Sequence, residues 1–354
     1  MVIVVLYFLA YFAFSFLTKT LGKGSPGPVL VLASLITCLG VWVVGLGVEA
    51  GWRWWRLRDG ETTRRRPGDN QSRRPDNSLI QRTLPHLFRR DVVIVAVMSA
   101  IIIVSSTSAY ALPGVSLLVP LLLMKGGPNI WAPLIDWLNG SAVTTRARIV
   151  FGLALVAIIG ALWSKVSVTA SVAVTAAVGW AALYMLAYFP KLKIMARYRG
   201  DLVFLIADMT TTLLIALPAV VALVWIKYGA DGLWQSVQLL GDSRVWAMGA
   251  ASEGAGLFGG LVFLAKTEST LSVPINRCSS LLGGTAATLA LWWLDGGTLL
   301  GWAGRNVPEL IGVIAMLAAL VIGVGRGGGV GDGGQRVVGR VDNGETMPAA
   351  LATA

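Results

Sequence analysis

Two stretches decide how this chain folds: SLLVPLLLMKGG, residues 116–127, and TLSVPINRCSSLLGG, residues 270–284. Each enters an apolar run through Val-Pro, and each then carries a cation, Lys125 or Arg277, where a helix in lipid would hold leucine. Val119-Pro120 and Val273-Pro274 lie 154 residues apart. A second match runs near that spacing, because FGLALVAIIGALW at 151–163 parallels IGVIAMLAALVIGVG at 311–325. Self-similarity at a long, constant interval marks an internal repeat.

The runs around these stretches are membrane-length. The chain has 354 residues, 55% hydrophobic and only 13% charged, with a mean hydropathy of +0.71. A soluble fold of this size has too little interior to hide that much apolar surface. Ten runs near 2–20, 27–50, 91–112, 113–138, 147–164, 167–189, 202–226, 245–265, 270–294 and 307–325 have the length that a hydrocarbon core demands. The expected fold is an all-α polytopic membrane protein of ten transmembrane helices. They divide into five-helix repeats at 1–165 and 166–325, with a Gly-rich tail at 326–354 that is expected to be disordered. An odd number of spans per repeat turns the second repeat over, so the two are inverted.

Orientation follows from charge. With the N-terminus in the cytoplasm, 21 of the 29 Lys and Arg residues fall inside: eleven between Arg53 and Arg90, Arg146 and Arg148, four between Lys191 and Arg199, Lys266 and three in the tail. The positive-inside rule then places both termini in the cytoplasm, in an integral cell (inner) membrane. The first run lacks a basic leader and a small-residue cleavage motif, so it reads as a retained helix. The loop at 53–90 is Arg-rich and is expected to lie on anionic lipid headgroups beside Trp52, Trp54 and Trp55. The net charge of +11 is therefore a topology signal, with no nucleic-acid partner implied.

Several chemistries find no residues. The single histidine, His86, lies in the loop, and Cys38 and Cys278 lie in separate apolar runs. That leaves no metal-ligand or disulfide spacing and no Ser-His pair in the membrane. No glycine-rich phosphate loop is present either. Neither a cofactor nor an enzyme is expected.

Charges inside spans are costly, about 2.5–3.5 kcal/mol each on insertion scales, so they face partners or a cavity. Lys125, Asp208, Glu253 and Arg277 are four such residues. Depth pairs Asp208 with Arg277 and Glu253 with Lys125, which would be structural neutralisation. Alternatively Lys125 and Arg277, at matching places in the repeats, line one cavity with Asn276 and recognise an anionic or zwitterionic group. Glu253 is then the carboxylate placed to exchange a proton, with Asp208 as ion-pair partner. Pro120, Pro128, Pro133 and Pro274 remove helical hydrogen bonds, and Gly126-Gly127 permit bending or close approach beside Lys125.

The five-plus-five division, the fifth helix G-L-A-L-V-A-I-I-G at 152–160 and the run GLFGGLVFLAKTESTLSVPINRCSSLLGG at 256–284 resemble the drug/metabolite transporter superfamily in its ten-helix form. The resemblance covers roughly 91–325. It implies two inverted five-helix repeats and alternating-access movement of small metabolites, drugs or lipid-linked precursors by antiport or proton coupling. NGSAVTTRAR at 139–148 departs from the Gly-Glu pair that many members carry there. The expected function is thus secondary transport, without ATP, of a small polar, anionic or amphiphilic solute. The alternatives are a lipid-carrier flippase and a non-transporting membrane scaffold subunit.

Overall fold

The computed structural model describes residues 2–58, 83–127, 145–163, 171–198, 201–264 and 269–324. Among them all regular structure is helical. The helices are α1 (Val2–Gly22), α2 (Gly27–Arg58), α3 (Arg90–Ala111), α4 (Leu118–Gly127), α5 (Thr145–Trp163), α6 (Ser171–Met195), α7 (Leu202–Gln238), α8 (Ser243–Leu264), α9 (Ser269–Leu294), α10 (Leu299–Arg305) and α11 (Val307–Val324). Most of loop 53–90, the stretch with Pro128 and Pro133, and the tail lie outside the described residues.

Among the described residues, five stretches are long and apolar enough to cross a membrane: α1, Gly27–Gly45 of α2, α3, Val172–Met195 of α6, and Leu202–Gly241, which contains α7. Three further expected spans are represented by shorter apolar helices, Leu118–Gly127, Arg148–Gly160 and Val307–Ala319. The spans expected near 245–265 and 270–294 are the helices α8 and α9, of 22 and 26 residues.

The distribution of polarity inverts that of a soluble protein. Val44, Leu186, Ile226, Trp293, Leu300 and Val321 are exposed, whereas Ser99, Lys125, Asp208, Asn276 and Arg277 are buried. An outer surface of large aliphatic and aromatic side chains is stable against hydrocarbon and unfavourable against water. These apolar helices fit a multi-pass membrane protein.

Helix α1 packs against α8 and α9; α3 packs against α6 and α7; α2 bridges α7 and α8; α5 lies along α11, which also meets α9. The α5–α11 crossing is close because of two glycines. A Cβ on Gly160 would stand 2.6 Å from the Pro308 carbonyl oxygen, and one on Gly312 would stand 2.9 Å from that of Ala157. Small residues let backbones approach in this way where lipid offers no hydrophobic drive for association. Helix α7 begins at Asp201, whose carboxylate accepts the N–H of Phe204 at 3.0 Å and so serves an otherwise orphan donor. It breaks at Gly229, where φ is 64° and ψ is −154°.

Between α3 and α4 the chain turns at Gly114, with φ of 71°. Lys19 of α1 secures this turn by donating to the carbonyls of Leu112 and Val115, each at 2.6 Å. Pro120 then falls in the first turn of α4. There its missing N–H costs no intrahelical bond, so it opens the helix rather than kinking it as expected.

Candidate functional site

A cavity of about 180 Å³ lies among α1, α3, α4, α6, α7, α8 and α9. It gathers Lys125, Asp208, Glu253 and Asn276, which are distant in sequence and were expected to share one cavity or to pair. Arg277 is not on its wall.

Lys125 sits in the last described turn of α4, with 6% of its surface exposed. Its Nζ donates to the Tyr184 hydroxyl at 3.4 Å. It also stands 4.7 Å from the ring centre of Tyr11 and 5.6 Å from that of Tyr184. Two ring faces stabilise an ammonium removed from water, but neither neutralises it. Among the described residues Lys125 has no ion pair, so the expected partnership with Glu253 is absent.

Gly126 and Gly127 admit neighbours rather than a bend. A Cβ on Gly126 would stand 2.6 Å from the Met316 Cε. One on Gly127 would run into Met185 of α6.

Arg277 lies behind α4, 1% exposed. Its Nη1 donates to the carbonyls of Met124 and Lys125, both at 3.3 Å, and its guanidinium lies 4.4 Å from the ring centre of Tyr188. It does not meet Asp208; the expected pairing is replaced by one with Lys191. Pro274 is within α9, and its side chain is outside the described residues.

Asp208 is 2% exposed and lies 3.4 Å from the Lys191 ammonium. Its Oδ1 accepts from Ser99 at 3.0 Å and Thr212 at 3.2 Å, and Lys191 donates to Ser99 at 2.5 Å. Lys191 was expected in a cytoplasmic loop, but α6 continues through Pro190 to Met195 and turns it onto the cavity wall. Helix α6 runs longer than its apolar stretch because the lysine's aliphatic stem can bury while its head seeks a partner.

Glu253 accepts the indole N–H of Trp42 from α2. Among the described residues no cation pairs with it. Asn276 accepts at Oδ1 from the Tyr7 hydroxyl at 3.3 Å, while its Nδ2 donor is buried with no partner.

The aromatic lining was not foreseen, although its spacing was legible. Tyr7, Tyr11 and Phe14 on α1, and Tyr184, Tyr188 and Lys191 on α6, each follow i, i+4, i+7, which is one helical face. The Tyr11 and Tyr110 hydroxyls share a hydrogen bond, and Tyr184 stacks on Tyr188 with centroids 5.7 Å apart. Among the described residues no cluster of three His, Cys, Asp or Glu side chains is formed. The cavity can hold a polar solute by direct hydrogen bonds, ring faces and two separated charges.

No family model matches this chain and no curated protein matches it, so its function rests on what this cavity can bind.

Proposed function

We propose that the protein is a secondary transporter that moves a small polar or charged solute across the cell membrane by alternating access, through proton coupling or antiport. The observation that carries this reading is the cavity itself. It lies between helices of both halves of the chain and encloses Lys125, a buried cation with no ion pair among the described residues. Intramembrane charges without protein partners mark solute pathways, because leaving them unserved costs several kcal/mol.

The five-plus-five inverted repeat belongs to this reading, and helix packing supports it. Exchange of α1 with α6, α2 with α7, α3 with α8, α4 with α9 and α5 with α11 maps α1 on α8 onto α6 on α3. The same exchange maps α3 on α7 onto α8 on α2, and α2 on α7 and α5 on α11 each onto itself. Each of these pairs is in contact. Repeats of this kind cradle a site at their junction, and the cavity is lined by helices from both halves of the chain. Its volume, about 180 Å³, is below the 300–1,000 Å³ or so of drug-sized pockets, which favours a small metabolite over a drug or lipid carrier.

The test begins with thermal-shift screening of the purified full-length protein against metabolites, wild type beside Lys125→Ala. Hits are then assayed by counterflow in proteoliposomes. A hit that binds through Lys125 and exchanges across the bilayer supports transport. Binding without exchange, across every hit, removes transport in favour of a receptor or scaffold.

A further inference from the structure

Among the described residues, two of the cavity's four charges lack a counter-charge. Asp208 and Lys191 answer one another. Among the described residues no charge answers Lys125 or Glu253: the lysine meets Tyr11 and Tyr184, and the glutamate meets the Trp42 indole.

Both line the cavity, and among the described residues no ion pair joins them. Helix α8 carries Glu253 and, further along, packs on the Tyr7–Asn276 pair. A Cβ on Gly259 would stand 3.1 Å from the Tyr7 ring and 3.3 Å from Asn276 Nδ2, and Glu253 lies six residues earlier on that helix, about 9 Å away by helical rise. Tyr7 also links Asn276 to the lysine's end, because its ring centre is 5.9 Å from that of Tyr11, over which Lys125 sits.

Hydrogen-bonding capacity is polarised in the same direction. At one end, among the described residues, Lys125 offers three N–H donors with one weak acceptor, and Asn276 offers a buried amide nitrogen with no acceptor. The Tyr7 hydroxyl donates to the other atom of that amide, Oδ1, at 3.3 Å. A buried donor without an acceptor costs about 1–3 kcal/mol, a cost that a bound oxyanion would remove. At the other end, the group lacking a counter-charge is a carboxylate.

On the reading that this cavity is the substrate site, we propose that its solute is a small zwitterion. Its carboxylate or comparable oxyanion is held by Lys125 and Asn276, and its ammonium faces Glu253. A solute with one charge leaves either the lysine or the glutamate unanswered.

Purified full-length protein in nanodiscs tests this by titration with glycine, γ-aminobutyrate and ε-aminocaproate, a ruler for the charge separation, beside caproate and hexylamine as one-charge controls. One zwitterion is expected to bind about tenfold more tightly than either control, a difference of about 1.4 kcal/mol. Lys125→Gln should lower that zwitterion's affinity to the level of hexylamine, and Glu253→Gln to that of caproate. Asn276→Ala, which removes the free amide without altering charge, should weaken the zwitterion and caproate but not hexylamine. This neutral variant decides the question if a charge variant melts below the assay temperature.

A control that binds as tightly as every zwitterion, a series in which no zwitterion binds, or affinity indifferent to Lys125→Gln overturns the assignment. Counterflow separates it from the transport reading. Zwitterion binding without exchange overturns transport alone, whereas exchange of caproate or hexylamine with no zwitterion exchange overturns this assignment alone.

Discussion

Arg277 donates through Nη1 to the carbonyl of Met124, at 3.3 Å. The last four carbonyls of a helix find no N–H within it, and Met124 and Lys125 are among the last four residues described in α4. The guanidinium from α9 serves both carbonyls. Arg277 thus positions the end of α4 that carries Lys125. Arg277→Met should cost about 1–3 kcal/mol by leaving the carbonyl unserved. Melting of Arg277→Met beside the wild type in detergent checks this; equal melting temperatures would refute it.

Lys191 and Asp208 should not be equivalent when removed. Loss of Lys191 strands a carboxylate whose side chain is 3% exposed, whereas loss of Asp208 strands an ammonium that is 21% exposed and can turn towards water. Lys191→Met is therefore expected to destabilise by about 3 kcal/mol, the low end for breaking a buried pair, since the Ser99 and Thr212 hydroxyls still serve the carboxylate. Asp208→Asn should cost less, and the double variant less than the sum. Equal single losses in a melting series would count against this asymmetry.

At the α5–α11 crossing, Gly160→Ala places a methyl 2.6 Å from the Pro308 carbonyl oxygen. Backbone cannot rotate aside as a side chain can. A loss of about 1–3 kcal/mol is expected, larger than that for Gly152→Ala on the same helix, where a Cβ meets nothing within 4 Å. A comparison of the two melting curves checks the difference.

Outside the spans, the Tyr198 hydroxyl donates to Asp91 Oδ2 at 2.6 Å. This bond, with the carboxylate's charge beside it, holds the phenol above its usual pKa. A raised pKa means that the folded state favours the neutral phenol. Its contribution is whole below the ordinary tyrosine value of about 10 and fades as pH rises through the folded value. Unfolding followed from about pH 10 upward should show a decline that Tyr198→Phe makes shallower; an unchanged pH profile in that variant would exclude the link.

Much of this was legible because lipid is a simple solvent. Runs such as VIVVLYFLAYFAFSFL on α1 and the apolar stretch of α3 declare themselves by length and composition. The four charges inside spans were found for the same reason, since each violates that composition. Their partners were not legible. Depth alone paired Asp208 with Arg277, but depth says nothing about which face of a helix a residue occupies or which helices are neighbours. Lys191 escaped because Pro190 and the nearby lysines resembled a span's end, although α6 continues past them.

The sequence by itself determined an apolar, helical chain with a repeated Val-Pro-to-cation pattern, because helix length and burial follow from residue chemistry one segment at a time. Only the tertiary structure decided that Lys125 faces a cavity while Arg277 braces the backbone behind it, and that Asp208 answers to Lys191. Those outcomes depend on which faces of seven helices converge, and side-chain reach, shared donors and the carbonyls at the end of α4 that Arg277 serves are settled only between segments.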